Sequence, residues 1–509
     1  MKPYTRRSFL KNATGAAAIL SLGSSFPGSW LAFSCSRRQG YFESEFAISD
    51  SLCKKVLERA LYKGGDFADL YFEQTISNQL KLEDGKVNHA SGSVELGVGI
   101  RTVKGDQIGY GFTQELAEES MLTAASTAAT IANESVKNPV SRFIQLKIPN
   151  YYPVTQSLIE VPLTSKLLLV KDLNEKCFAL SDLIIKARVQ FNDSQKRVMI
   201  ITSDGVKTED LLPKSNLYAS LVAEKNGKKE NAGWSLGGRH DFTYYNQGIV
   251  DEVAKEAVER TLNFFDARKP PAGEMPVVLG PGLPGVLLHE AIGHGMEADY
   301  NRKKMSIYST MIGKKVAEPF ISIVDDGTVK NRSGSLNVDD EGVLTQKTML
   351  VENGILKSYL HDKISARQYK TESTGNGRRE SYEYYPQPRM RNTYMLPGEY
   401  TADEIINTVK KGIYVKSILG GQVKIGEGDF AFYVFQGQMI EDGKLTTQLK
   451  DLNIMGNGPK VLENVTMIAN DLKLYDGGTG ICGKGGQIVP VSYGIPTCLV
   501  KSMTVGGVT

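Results

Sequence analysis

Residue types that often mark chemistry are scarce in this chain. Its 509 residues include five cysteines, five histidines and two tryptophans. The cysteines lack the spacing of a disulfide framework, and they stand at positions 35, 53, 177, 482 and 498. We therefore expect buried thiols at Cys53 and Cys177, and we consider Cys482 below as a metal ligand. Disulfides in an oxidising compartment are the alternative.

An excess of charge of one sign is also absent. The chain has 60 Lys and Arg against 57 Asp and Glu, a formal net charge of +3. That charge is too small for this length to imply a nucleic-acid or anionic-membrane partner. Apolar residues make up 41% and charged residues 23%, as in ordinary soluble globular proteins. The length predicts at least two domains.

The first 35 residues are typical of a leader rather than of a folded domain. Residues 5–11, with Arg6 and Arg7, resemble a twin-arginine export signal, and the apolar core at 13–23 is too short to span a membrane. Residues 32–34 resemble a cleavage site before Cys35. We expect export to the periplasm. A lipid anchor on Cys35, from a degenerate lipobox at 31–35, and a cytoplasmic protein with an incidental Arg pair are the alternatives.

Residues 45–269 predict an N-terminal α/β domain with an antiparallel sheet and flanking helices. A helix beginning at Ser49 or Asp50 has an apolar stripe with a 3.6-residue period, and strict alternation from Val94 to Ile100 indicates a strand. Further helices are expected at 118–132, 164–181 and 251–264. Residues 183–191 and 197–203 predict two strands joined by a turn at Asn192 and Asp193.

The texture changes near residues 268–273, and residues 270–509 predict a second, β-rich domain. This domain is rich in glycine and contains Asp-Gly and Asn-Gly pairs that are typical of hairpin turns. The fold class is therefore α+β. The polar segment 373–382 is either a solvated loop or a mobile cover over a cleft.

Two of the five histidines stand in one short motif, Leu288-His289-Glu290-Ala291-Ile292-Gly293-His294. It is close to the zinc-binding pattern His-Glu-x-x-His but has one additional residue. On an ideal helix, positions five apart diverge by about 140°. A π-bulge would restore a shared face, and Gly293 provides backbone freedom for it. The alternative is a buried helix whose histidines bond locally. His89 and His240 are expected to be surface or locally bonded residues.

A catalytic zinc usually takes three protein ligands, and Cys482 is the candidate for the third. Glycines flank it, and Lys484 is close enough in sequence to favour its thiolate. A buried structural cysteine, or a disulfide with Cys498, is the alternative. Glu297 and Asp299 follow the motif and are candidate acceptors for the imidazole N–H groups, or else ordinary helix-surface charges.

These motifs together resemble the TldD/PmbA family of metalloproteases, on the TldD side. The resemblance is dense from about 270 to 500 and includes residues 289–299, 324–328, 339–342, 375–382, 392–398, 470–474 and 482–484. It implies a barrel-like C-terminal domain, zinc on His289, His294 and Cys482, and Glu290 as catalytic base. It also implies unfolded peptides as substrates, held as extended strands, and a dimer with a PmbA-like (TldE) subunit or with itself. Most members are cytosolic, so the export signal is a departure.

The sequence therefore predicts a zinc-dependent peptidase in which Glu290 acts as general base on a zinc-activated water. Two other classes remain open. A non-catalytic zinc-containing scaffold would bind peptides without cleaving them, and it would have no need of Glu290. A zinc amidase would act on non-protein amides.

Overall fold

This computed structural model describes residues 40–134, 138–475, 477–478 and 480–507. The export signal and Cys35 lie outside the described residues. Residues Tyr41–Thr509 form one unit by their contacts, and the boundary near residue 270 stays a prediction. Within the described part, no helix is both long and apolar enough to cross a membrane.

Seven strands of the N-terminal half form one sheet. They are β1 (Phe67–Glu83), β2 (Lys86–Lys104), β3 (Gln107–Thr113), β4 (Ile144–Gln145), β5 (Ile184–Thr202), β6 (Val206–Lys225) and β7 (Lys228–Gly238). Their order is β3-β2-β1-β5-β6, and β6 pairs with both β7 and β4. All neighbours are antiparallel except β4 and β6. The predicted antiparallel sheet is confirmed.

Helices cover this sheet at two ends. They are α1 (Tyr41–Phe46), α2 (Asp50–Leu61), α3 (Glu118–Ala128), α4 (Leu163–Ala179) and α5 (Ile249–Asn263). The side-chain oxygen of Ser49 accepts a hydrogen bond from the Leu52 N–H at 3.2 Å and caps α2, as predicted. Helices α2 and α3 bury their apolar faces with Leu70 and Phe72, whereas α4 and α5 bury theirs with Leu82 and Phe191. One sheet thus carries two separate hydrophobic cores.

The predicted turn at Asn192 and Asp193 is wrong. Strand β5 continues through both residues, and they pair with Gln79 and Asn78 of β1. The Asn78 side-chain amide donates to Asp193 at 2.9 Å, and Lys166 of α4 forms a buried ion pair with Asp193 at 2.8 Å. These cross-strand contacts satisfy the polar side chains and override their local preference for turns.

The described residues of the C-terminal half contain seventeen further strands. The first nine are β8 (Gly273–Leu279), β9 (Ile323–Asp326), β10 (Lys347–Glu352), β11 (Ile355–Leu356), β12 (Gly377–Arg378), β13 (Gln387–Pro388), β14 (Asn392–Met395), β15 (Lys411–Lys424) and β16 (Asp429–Glu441). The others are β17 (Lys444–Leu449), β18 (Leu452–Asn457), β19 (Val465–Ile468), β20 (Lys473–Tyr475), β21 (Ile481–Lys484), β22 (Gln487–Pro490), β23 (Ser492–Ile495) and β24 (Cys498–Gly507).

Five of these strands close a barrel. Strand β8 pairs with β15 and β24, β24 with β18, β18 with β16, and β16 with β15. A second sheet has the order β11-β10-β9-β14-β23-β20, and β21 pairs only with β22. The helices here are short: α6 (Val286–Leu288), α7 (Ala298–Arg302), α8 (Lys363–Tyr369), α9 (Ala402–Asn407) and α10 (Gly458–Glu463). The predicted α+β fold with a barrel-like C-terminal region is confirmed.

Segment 373–382 is neither a solvated loop nor an open cover. Its residues 374–379 are buried, and strand β12 within it pairs with β13. The side chain of Asn376 donates to Asp325 and to the Arg389 carbonyl, both at 2.9 Å. The polar residues of the segment therefore serve buried hydrogen bonds, which local composition does not distinguish from solvent exposure.

A buried ion network joins the N-terminal sheet to the C-terminal region. Arg101 of β2 lies 2.5 Å from the Asp69 carboxylate of β1 and 2.8 Å from that of Glu341. Arg379 lies 3.1 Å from Asp69, and all four side chains are fully buried. Burial raises the pKa of Asp69, but the two guanidinium groups outweigh it, so the pKa lies below its usual value.

We expect Arg101→Met to destabilise the protein by about 3–5 kcal/mol, because it leaves two carboxylates buried with one fewer cation. Arg188→Met is the matched control. Arg188 contacts Glu83 at 3.3 Å with a side chain that is 55% exposed, so its loss should cost at most about 1 kcal/mol. Urea unfolding measures both. Equal, small losses would show that the network does not hold the halves together.

Candidate metal centre

The motif helix changes its winding at the two histidines. A turn at Leu283–Gly285, with Pro284 in its first positions, leads into α6, and residues His289–Gly293 form a π-helical turn. The His294 N–H donates to the His289 carbonyl, five residues back. The additional residue is thereby absorbed, and both imidazoles face one site. The predicted π-bulge is confirmed.

Gly293 is required for packing rather than for backbone freedom. Its φ is −59°, which any residue adopts. A Cβ atom there would lie 2.0 Å from the Met390 sulfur, closer than any real contact. The glycine thus lets the π turn lie directly against the segment that precedes β14.

The structure brings His289, His294 and Cys482 together. Their candidate ligand atoms all lie within 4.8 Å of one another. His294 Nε2 lies 3.4 Å from Cys482 Sγ, and the two imidazole centroids are 5.1 Å apart. All three residues are at least 95% buried. Cys482 reaches the site from β21, 188 residues after His294.

The three side chains fit a zinc ion. Among the described residues, neither ring nitrogen of His289 has a hydrogen-bond partner, although both are buried. Leaving such groups unsatisfied costs about 1–3 kcal/mol each, and a metal ligand has no such cost at the bound nitrogen. Burial raises the pKa of the Cys482 thiol, but the nearby His289 and His294 outweigh it and hold the pKa well below its usual range. Two imidazoles and a thiolate are a donor set that zinc accepts.

Glu297 orients the second histidine. Its carboxylate lies 2.9 Å from His294 Nδ1, which leaves Nε2 directed at Cys482. The carboxylate is fully buried, and burial raises its pKa. The positive charges of Lys484 and His294 outweigh burial and lower the pKa to about 2. The predicted acceptor role is confirmed in geometry for Glu297.

Asp299 and Lys484 have roles other than those predicted. The Lys484 ammonium lies 2.7 Å from Asp299 and 3.1 Å from Glu297, so it neutralises carboxylates rather than activating Cys482. Asp299 accepts from Lys484 and not from an imidazole. Cys482 and Lys484 lie two residues apart in β21 and share its buried face, but the ammonium of Lys484 extends to the carboxylates rather than to the Cys482 sulfur.

Arg389 is a site residue that the sequence did not reveal. It is fully buried, donates to the Cys482 carbonyl, and lies 3.9 Å from Glu297. It stands 93 residues before Cys482 in the chain. Arg389 and Arg391 alternate with apolar Met390, a pattern that ordinarily predicts exposed arginines and therefore gives no signal of this burial.

Glu290 lies at the accessible side of the cluster. Its carboxylate is 3.8 Å from His294 Nε2, and its side chain is 28% exposed. This carboxylate lies beside the imidazole of His294 and takes no part in the buried ion pairs of Glu297. It is therefore placed to exchange protons with a bound water or substrate.

The remaining histidines and cysteines agree with the sequence interpretation. His89 is exposed beside Ser91, and His240 stacks on Tyr244 at 3.8 Å. The four described cysteines are buried and unbridged, so the disulfide between Cys482 and Cys498 is wrong.

Fold and site together define an α+β protein with a closed barrel and a candidate His-His-Cys metal centre. Residues 272–507 match the PmbA/TldA metallopeptidase C-terminal domain, residues 68–132 match domain 1, and residues 156–264 match the central domain of the same family. The chain belongs to the TldD/PmbA family, as its motifs predicted.

Relatives and solved structures extend this likeness over most of the chain. A metalloprotease TldD homologue of Haemophilus influenzae is 39% identical over 467 residues, which cover 90% of this chain and 97% of that protein. A zinc metalloprotease TldD homologue of Saccharolobus solfataricus is 28% identical, with coverage of 89% and 99%. A crystal structure from Thermotoga maritima has a TM-score of 0.73 at 21% identity, covering 90% and 99%. TldE from Thermococcus kodakarensis has 0.68 at 18%, covering 89% and 100%. The two structures bear on the fold alone.

We expect the protein to bind about one zinc per chain, the stoichiometry of a three-ligand site. Cys482→Ala should remove most of this zinc, because two imidazoles alone bind weakly. Cys498→Ala is the matched control, since that thiol is also buried but lies outside the cluster. Elemental analysis of the purified proteins measures the metal. Full zinc content in the Cys482 variant would remove this residue from the site.

Proposed function

We propose that the protein is a zinc-dependent peptidase that hydrolyses unfolded peptides. The observation that carries the proposal is Glu290, a partly exposed carboxylate 3.8 Å from His294 Nε2 at the edge of a buried His-His-Cys cluster. A structural zinc site needs no such group. The names of the TldD relatives, which are metalloproteases, support the same reading.

His289, His294 and Cys482 would hold the zinc. When bound, it would supply a Lewis acid that polarises an amide carbonyl and lowers the pKa of water toward about 7. Glu290 takes a proton from the attacking water and delivers it to the amide nitrogen. The C–N bond then breaks, and the amine leaves as a neutral molecule. Glu297 keeps His294 in the tautomer that presents Nε2 to the metal.

A polar cleft supports an extended peptide as the substrate. Its volume is about 530 Å³, and it lies over the middle of the N-terminal sheet beside Gly478, four residues before Cys482. Ser77, Asn192 and Asn216 line it along three neighbouring strands. Hydroxyl and amide groups recognise a peptide backbone without selecting apolar side chains, which suits broad sequence tolerance.

For assembly, we propose a dimer with a TldE-like subunit, with a homodimer as the alternative. The fold likeness to TldE supports a partner of the same architecture. Size-exclusion chromatography of the chain alone and mixed with a TldE-like subunit from the same cell distinguishes the two.

The decisive variant is Glu290→Gln, which preserves size and all three ligands but cannot accept a proton. Loss of a general base typically reduces the rate by about 10²–10⁴-fold. We expect near-normal zinc content, retained peptide binding and almost no hydrolysis of a fluorogenic unstructured peptide. Retention of more than about a tenth of wild-type kcat would exclude Glu290 as the base. Wild-type protein that binds the peptide without cleaving it favours a scaffold. Cleavage of cell-wall fragments but not peptides favours an amidase.

We further propose export through the twin-arginine signal. Arg6→Lys combined with Arg7→Lys should retain the precursor in the cytoplasm, because a receptor reads the paired arginines. Cell fractionation measures the outcome, with Lys2→Arg as a control that preserves the pair. Unchanged periplasmic recovery would refute the signal. Labelled palmitate incorporated by the wild type, but not by Cys35→Ala, would establish the lipid anchor.

A further inference from the structure

A second cavity lies outside the metal cluster and the polar cleft. It has a volume of about 550 Å³ and is enclosed by β7, α5, β20 and the Pro281–Leu283 segment that precedes α6. The size is that of a ligand pocket. Nothing in the proposed chemistry at Glu290 uses this cavity.

The lining of this cavity is strongly cationic. Lys330, Lys416 and Lys473 are exposed and line it, and within the described part of the chain none of their ammonium groups has an ion-pair or hydrogen-bond partner. Arg260 and Arg332 add two further cations. The two acids of the lining are Glu252 and Glu256, and Glu256 is already paired with Arg260 at 3.3 Å. Like charges held close together without counter-ions favour an anionic occupant.

A buried arginine and a tryptophan form one wall of the cavity. Trp234 Nε1 is buried and has no hydrogen-bond partner among the described residues. Arg260 stacks on the Trp234 ring at 3.9 Å and is itself 95% buried. The cations of the lining suit a carboxylate or phosphate oxygen.

The cavity is adjacent to the metal centre through a continuous aromatic wall. The rings of Trp234 and Tyr475 are 5.7 Å apart, those of Tyr475 and Tyr493 5.8 Å, and those of Tyr493 and His289 6.0 Å. An extended peptide rises about 3.3 Å per residue, so about five residues or fewer cover the length of this chain of rings. One substrate could therefore occupy both places.

We propose that this cavity is an anion subsite that binds a carboxylate of the substrate peptide, an acidic side chain or the terminal carboxylate, within about five residues of the scissile bond. The inference rests on the proposed function for its substrate but not for the anion binding itself. It assigns selectivity for acidic peptides to the three unpaired lysines.

The test compares two dye-labelled unstructured peptides. One has Glu and the other has Gln at four positions near each end, and the rest of their sequence is identical. Binding is measured by anisotropy on the zinc-loaded Glu290→Gln protein, so that no turnover is required. Combining Lys330→Gln, Lys416→Gln and Lys473→Gln should weaken binding of the acidic peptide by about tenfold, since three favourable charge contacts are lost. The Gln peptide should change less than about twofold, because it makes no such contacts.

The matched control combines Lys171→Gln, Lys444→Gln and Lys501→Gln, which remove the same charge from exposed positions away from the cavity. This control variant should bind both peptides with nearly the same affinity as the Glu290→Gln protein that retains all its lysines. Equal weakening by both triple variants would reduce the effect to overall charge and overturn the subsite.

Two further outcomes separate the subsite from the proposed function. In the first outcome, the acidic and Gln peptides bind with equal affinity, and inorganic phosphate binds only when the three lysines are present. This result would overturn a peptide carboxylate as the ligand. Hydrolysis of both peptides with equal kcat/KM by the wild type would sustain the peptidase and overturn the subsite. Lysine-dependent preference for the acidic peptide, with no hydrolysis by the wild type, would sustain the anion subsite and refute the peptidase.

Discussion

The metal centre depends on one buried carboxylate, that of Glu297. It accepts from His294, lies 3.1 Å from the Lys484 ammonium, and is near the Arg389 guanidinium. Lys484 belongs to the strand that carries Cys482, and Arg389 donates to the Cys482 carbonyl. Glu297 therefore fixes the orientation of one candidate ligand, His294, and helps to position another, Cys482, 188 residues away. A buried carboxylate is tolerable only with such partners, so ligand placement and charge neutralisation are the same constraint.

A comparable constraint shapes the N-terminal sheet. Two hydrophobic cores occupy the ends of its long strands, and a polar band crosses the middle, where Gln79, Asn192 and Asn216 lie opposite one another. Asn216 donates to the Gly477 carbonyl, in the loop that leads to Cys482. The middle of the sheet thus meets this loop through a hydrogen bond, whereas β7 reaches the site through the ring contact of Trp234 with Tyr475. The side chains of this band are polar on both faces of the sheet. A solvated cleft can therefore persist at this position, since polar groups are costly to bury without partners.

A structural feature could be predicted from the sequence when the residues that cause it are neighbours in the chain. The capped helix at Asp50, the hairpin turns and the π turn at His289–Gly293 arise from neighbours in the chain, and their patterns predicted them. Asn192 and Asp193 were misassigned because turn chemistry is local whereas their partners, Asn78 and Lys166, are distant. Arg389 was missed for the same reason. The Cys482 role was reached through the family resemblance, since its spacing from His294 contains no signal.

Close contacts of the backbone hold the helix that carries the candidate metal ligands His289 and His294. A Cβ on Gly285 would lie 2.7 Å from the Gly494 carbonyl carbon, and one on Gly293 would lie 2.0 Å from the Met390 sulfur. One on Gly458 would lie 2.5 Å from the Ala291 carbonyl oxygen, on another side of the same helix. The motif helix is therefore held by close approaches on three sides, within a core shared with the barrel. Small metal domains fold only when their ion binds. Here close packing supplies the geometry of the candidate ligands, so we expect the motif helix to keep its fold without a bound metal.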